Sequence, residues 1–256
     1  GAMGTVPHGG RTAVEVDGRS AARVSRREPL VLVPGLVCDA EVWQHQVRHL
    51  ADVADIGIPA VDTGDSMADM ARHVLAWAPP RFALAGFSMG GYVTLEMFRQ
   101  APERVTRLAL LDTSARADTP EKAAGRRAAI DAIARGRYRD VVEGMMPVLL
   151  HPDRRPGPLA DLVRSMTARI GPEVFARRHR AMLTRSDSRD LLGGTSLPVR
   201  VICGRHDAMS SLGEHEEMAV LAARGRWSII EDCGHMSIIE QPTAVSALLR
   251  DWLVYD

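Results

Sequence analysis

Six residues, Gly86-Phe87-Ser88-Met89-Gly90-Gly91, set a serine in the spacing G-x-S-x-G. An apolar run, Phe82 to Ala85, precedes them and a helix-period run, Gly90 to Gln100, follows. A serine on a sharp strand-to-helix turn has strained backbone angles and neighbours too close for side chains, which is what the glycines supply. Its hydroxyl then stands at the carboxyl edge of a sheet, over a helix N-terminus that favours a developing oxyanion. A serine hydroxyl is a weak nucleophile until a base takes its proton, so the pattern requires a histidine and a group to orient it.

Nine histidines compete. His45 and His49 lie at i, i+4 on one helix face, but His45-Gln46-Val47-Arg48-His49 lacks the glutamate of a zinc-protease helix, so a solvated face is the better reading. His73, His151, His179 and His215 fall in helical stretches without an evident partner, and His8 lies near the N-terminus. His235 differs. It follows the last strand in Cys233-Gly234-His235-Met236-Ser237, on a glycine-marked loop at the edge where active groups of open α/β sheets collect. Asp207, in Gly204-Arg205-His206-Asp207, follows the strand Val199 to Ile202 and can hold the imidazole tautomer. Asp112, at the end of the strand Val105 to Leu111, is its rival, and the order Ser88, Asp207, His235 favours Asp207.

The elements that must position these residues alternate along the chain. Pro29 to Pro34 and Val53 to Pro59 read as strands, with a helix over Glu41 to Leu50 on a Val42, Trp43, Val47, Leu50 stripe between them. Ser66 opens a helix running to Trp77, ended by Pro79-Pro80. Later come helix Leu212 to Ala223, strand Trp227 to Ile230 and helix Thr243 to Leu253. Continuous apolar strands alternating with helices predict a doubly wound α/β fold with a mostly parallel sheet. Near the N-terminus, Thr12 to Val16 and Arg19 to Val24 around Asp17-Gly18 suggest a β-hairpin. From Ser114 to about Leu192 the alternation stops. This stretch reads as a helical insertion broken at Pro147, Pro152, Pro156, Pro158 and Pro172, with Met145, Met146, Leu149, Leu150, Met166, Phe175 and Met182 as either a lid underside or its own core.

Composition limits the alternatives. The 256 residues carry 32 basic and 32 acidic side chains, a balance that argues against nucleic-acid or membrane-surface binding. Residues 115 to 190 hold 16 basic and 10 acidic groups, an excess that reads as a solvated arginine-rich face rather than an anion site. Only Lys122 among the basic residues is a lysine, the bias of a GC-rich bacterial genome. No run reaches the length of a membrane helix. Three cysteines, Cys38, Cys203 and Cys233, fit neither a disulfide framework nor a zinc site, so the cytoplasm is expected. Gly1-Ala2-Met3-Gly4 reads as an expression-tag remnant.

Taken together, the Pro34-Gly35-Leu36 loop, the Gly86 to Gly91 elbow, the Gly204 to Asp207 turn and the tail Gly234 to Pro242 resemble the α/β-hydrolase superfamily. The resemblance is to its small, cofactor-free serine hydrolases with a helical lid, of the esterase and lactonase kind. It implies a core over residues 5–114 and 193–256, a helical cap over 115–192, no cofactor and no metal. It also implies an oxyanion hole from the backbone N–H groups of Leu36 and Met89, beside a Ser88, Asp207, His235 triad. One departure stands out: many relatives have His-Gly where this chain has Pro34-Gly35, so a hydrogen bond that often braces the oxyanion loop is absent. The implied substrate is a small-molecule ester or lactone, with carbon–carbon bond hydrolysis or ligand sensing on the same fold as alternatives. Cys38 and Asp39 follow on that loop and are expected near the pocket, Cys38 as a packed hydrophobe rather than a nucleophile.

Overall fold

The computed structural model describes residues 27–256, so the hairpin expected at Thr12 to Val24 and the tag remnant lie outside the described residues. Six strands form one parallel sheet in the order β2-β1-β3-β4-β5-β6. They are β1 (Glu28–Val33), β2 (Ala54–Gly57), β3 (Phe82–Phe87), β4 (Val105–Leu111), β5 (Pro198–Gly204) and β6 (Arg224–Ile230). The interior strands are apolar on both faces: Leu30 to Val33 and Phe82 to Ala85 are fully buried. A strand with no polar face must be covered by helices on both sides.

Those helices are α1 (Gln44–Leu50), α2 (Met67–Trp77) and α3 (Met89–Gln100), with α8 (Leu212–Leu221), α9 (Ser237–Glu240) and α10 (Pro242–Tyr255) after the central stretch. The Ser66 hydroxyl caps α2 by accepting from the Asp69 N–H (3.1 Å), and Met67, Met70, Ala71, Val74 and Leu75 form its buried face. Of the expected stripe, Val42, Trp43 and Leu50 are buried, the first two in a 3-10 turn just before α1, and one position differs. Val47 is exposed and Gln46 is buried, its amide donating to Ile238 O and Ser246 Oγ.

Between β4 and β5 the chain makes α4 (Pro120–Ala134), α5 (Tyr138–Leu149), α6 (Pro158–Leu183) and α7 (Arg189–Gly193), with no strand. Of the prolines expected to break the helical stretch, Pro152, Pro156 and Pro158 fall between or at the ends of helices and Pro172 at a kink, and only Pro147 departs. Pro147 sits inside the last turn of α5 and does not break it. Pro158 opens α6, where its missing N–H costs nothing, and Pro172 restarts α6 after a kink at Gly171 (φ 81°). Many arginines here are tied in ion pairs, Arg126 and Arg185 to Asp118 and Arg164 to Glu143. Among the described residues no helix is long and apolar enough to cross a membrane.

The strand order reverses direction between β1 and β3, and the loops leaving their carboxyl ends open a crevice there. The first turn of α3 closes on this point. A Cβ on Gly90 would lie 2.2 Å from the Val33 carbonyl oxygen, and one on Gly86 2.2 Å from the carbonyl of Gly90. Gly90→Ala is therefore expected to push α3 off the sheet and destabilise the protein by about 2–3 kcal/mol, on the order of 5–10 °C in Tm for a chain of this size. Thermal unfolding by circular dichroism measures this, and an unchanged Tm would show the contact to be yielding.

Candidate active site

Ser88 connects β3 to α3 with φ 54° and ψ −117°, a strained conformation for a residue with a side chain. Its backbone is held on both sides. The Ser88 N–H donates to Leu111 O (2.9 Å), while the Ser88 carbonyl accepts from Gly91 N (2.8 Å) and Thr113 Oγ1 (2.8 Å). The hydroxyl lies 3.0 Å from His235 Nε2. On the far side of the ring, His235 Nδ1 is 2.9 and 3.0 Å from the two carboxylate oxygens of Asp207. A carboxylate only accepts, so Nδ1 carries the proton and Nε2 is left to accept from the Ser88 hydroxyl.

Asp207 is oriented by the chain that follows it: its Oδ1 accepts from the N–H groups of Met209 (2.8 Å) and Ser210 (2.9 Å). Burial works to raise its pKa, but the facing His235 and these N–H donors outweigh it and hold the carboxyl below the usual range. Asp112, the rival acid, meets a different set of groups. It accepts from Gly204 N (3.1 Å) and is hydrogen-bonded to the Ser237 hydroxyl. Burial, and next the charge of Asp207, push Asp112 well above the usual carboxylate range. The sheet thus places two carboxyls near one another and shifts them in opposite directions.

The loop bearing His235 has a brace that the sequence reading missed. Glu240, its side chain fully buried, accepts through Oε2 from Gly234 N (3.1 Å) and Met236 N (3.1 Å), the residues flanking His235. Its Oε1 accepts from His151 N (2.8 Å), linking the same loop to the end of α5. A glutamate in the apolar stretch Ile238-Ile239-Glu240, where no solvent face is available, was the one sequence signal for it.

Leu36, Phe87, Ser88 and His235 line a cavity of about 250 Å3. Met89 is the first residue of α3, and its N–H has no carbonyl one turn back within the helix. Among the described residues, neither its N–H nor that of Leu36 is taken up by a loop carbonyl. The opposite wall comes from the central helices. Of the apolar residues named for that stretch, Met145, Leu149 and Met182 line the cavity, whereas Met146, Leu150, Met166 and Phe175 are buried away from it. Cys38 and Asp39 do not line it. Cys38 is buried, with its thiol pushed up to about 12 by that burial, and Asp39 turns outward to Arg169 (2.6 Å). His45 and His49 stack on each other at 3.8 Å on α1, with His45 Nδ1 2.7 Å from Ser246 Oγ. Among the described residues one trio could offer ligands to a metal, His151, Asp153 and Asp232, at the surface, where Arg154 already pairs with Asp232 (2.8 Å).

A model of the α/β hydrolase fold family matches residues 65–242, and the chain belongs to that family. An esterase from Thermogutta terrifontis is 30% identical and superposes with a TM-score of 0.79 over 88% of this chain and 89% of its own. The enol-lactonase of Burkholderia xenovorans, at 23% identity, shares the fold with a TM-score of 0.81 over 90% of this chain and 93% of its own. A pimeloyl-[acyl-carrier protein] methyl ester esterase of Edwardsiella ictaluri is 35% identical over 96 residues, which make up 34% of this chain and 37% of that protein. The chain thus spans little more than a third of that relative's length.

His179 forms part of the cavity wall, 6% exposed, with both ring nitrogens buried and without a partner. Burial, and then the nearby Arg126 charge, lower its pKa to about 3. A histidine whose folded pKa is depressed is stabilising above its unfolded pKa, and that stability is lost as pH falls from about 6.5 toward 3. The expected slope is about 1.4 kcal/mol per pH unit between pH 5.5 and 4, and it should vanish in His179→Leu. Denaturant unfolding of both proteins across that range measures the difference. Equal slopes would place the acid sensitivity elsewhere.

Proposed function

We propose that the chain is a serine hydrolase that cleaves the carboxylic ester of a small, uncharged molecule through an acyl-enzyme. The observation that carries this reading is the unbroken series from Ser88 Oγ to His235 Nε2 and from His235 Nδ1 to Asp207, opening on an apolar cavity. In the first half-reaction Ser88 Oγ attacks the ester carbonyl carbon while His235 Nε2 takes the hydroxyl proton. Asp207 holds the ring and stabilises the imidazolium, and the N–H groups of Leu36 and Met89 receive the oxyanion. His235 then returns the proton to the departing alcohol. In the second half-reaction a water attacks the acyl-enzyme, its proton passing to His235, and the acid leaves as Ser88 is reprotonated.

Substrate class follows from the walls. Phe87, Tyr92, Met145, Leu149 and Met182 present apolar surface, and the thioethers adapt to varied acyl shapes. Two cations reach the cavity, but each faces an acid: Arg126 donates to Asp118 (2.7 and 3.1 Å), and Lys122 Nζ is 4.0 Å from Glu214. Neither offers an unpaired charge to an anionic substrate. The esterase and methyl ester esterase relatives support the ester reading. A lactone requires the same steps, its alcohol staying attached to the acid after hydrolysis.

Steady-state kinetics on p-nitrophenyl esters of increasing acyl length, lactones and acyl thioesters tests this. Neutral short and medium esters should give the highest kcat/KM, with little change on adding salt, because a neutral ligand has no charge to screen. Asp207→Asn should lower kcat about 10³-fold or more, and Asp112→Asn by less than about tenfold. A steep fall of kcat/KM with salt, together with preference for carboxylate-bearing esters, would overturn the substrate class. The reverse ranking of the two acids would overturn the role of Asp207.

A further inference from the structure

Arg178, on α6, is the most deeply buried charged side chain in contact with the loop that follows β1, at 1% exposure. Among the described residues no carboxylate pairs with it. Its guanidinium faces five backbone carbonyls instead. Nη1 donates toward Leu36 O (2.8 Å), Cys38 O (3.0 Å) and Gly35 O (3.2 Å), Nη2 donates to Ala60 O (2.9 Å), and Nε donates to Val61 O (3.0 Å). Taking a cation out of water costs several kcal/mol unless such partners replace its hydration.

Backbone strain marks the same place. Val61 is held at φ 51°, an outlier for a β-branched residue, and its carbonyl is the one that Nε takes. On the other side lies the Gly35–Leu36 peptide. Its carbonyl oxygen accepts from Arg178, and its N–H is the Leu36 donor assigned above to the oxyanion. The peptide is one conjugated unit. A cation at its oxygen draws density from its nitrogen and strengthens the opposite N–H as a donor.

We propose that Arg178 is a positioning residue for the oxyanion site, orienting and polarising the Gly35–Leu36 peptide from behind and tying α6 to transition-state stabilisation. This rests on the reading of Leu36 N–H as an oxyanion donor. The guanidinium acts on the developing charge only through the peptide, so its effect belongs to the transition state and not to ground-state binding.

The test compares the parent with Arg178→Lys, which keeps a charge but not the planar fork, and with Arg178→Ala given added guanidinium ion. Arg178 borders a surface crevice of about 640 Å3 beside Asp39 and Ile170, a route for that ion. Kinetics on a neutral p-nitrophenyl ester are read beside the affinity for a trifluoromethyl ketone, which mimics the tetrahedral adduct, and for the matching methyl ketone. In Arg178→Lys, kcat should fall about 10–100-fold with KM within about threefold, since a weakened donor costs less than a deleted one. Trifluoromethyl ketone affinity should fall in parallel and methyl ketone affinity should stay. If Arg178→Lys does not fold, the Arg178→Ala protein refolded with guanidinium carries the test, and kcat should rise with guanidinium concentration at constant KM. A folded variant with parental kcat, equal loss of affinity for both ketones, or no response to guanidinium would overturn the proposal. Loss of Ser88 dependence in the parent would instead overturn the hydrolase reading beneath it, which separates the two failures.

Discussion

At its first turn α3 approaches β1 so closely that a side chain on Gly90 would overlap the carbonyl of Val33, and this contact sets where Ser88 stands. With the helix pressed onto the sheet, the residue joining β3 to α3 has no relaxed conformation open to it and takes φ 54°. The strain persists because Leu111 O, Gly91 N and Thr113 Oγ1 hold the Ser88 peptide groups on both sides. Everything opposite is arranged to that fixed point. The loops after β5 and β6 bring Asp207 and His235 to it, and the loop after β1 brings Leu36.

Electrostatics at this sheet edge sets two neighbouring buried carboxyls apart. Asp207 faces a histidine and two N–H donors that lower its pKa, whereas burial and the charge of Asp207 raise that of Asp112, which faces a hydroxyl and one N–H. Held by Gly204 N and Ser237, Asp112 instead ties β4 to β5 and to the start of α9. The loop of His235 is fixed independently by Glu240, so the histidine is oriented through both its ring and its backbone.

Much of this was legible in the residues. Apolar strand runs, Ser66 as a helix cap, and the elbow spacing are local signals, and each element appears close to its expected bounds. The choice of Asp207 over Asp112 was also available, through chain order. Other features depend on contacts between distant segments. Arg178 looks like an ordinary surface residue of a helical stretch, because its partners are backbone carbonyls brought together only by folding. Similarly, Met145 and Met146 are neighbours in sequence, yet one lines the cavity and the other is buried away from it. Among the prolines read as breaks, Pro158 stands at a helix start, where the missing N–H has no partner to lose, and only Pro147 lies inside a helix.

The proposed hydrolysis requires Ser88 to be the group that becomes acylated. Reaction of the protein with a fluorophosphonate, followed by intact mass and peptide mapping, tests this most directly, because stable adduct formation needs both an activated hydroxyl and an oxyanion site. One adduct per chain on the peptide containing Ser88, and none in His235→Ala on the same timescale, is the predicted result. No adduct in the folded parent protein, or an adduct on another residue while Ser88 stays unmodified, would contradict it.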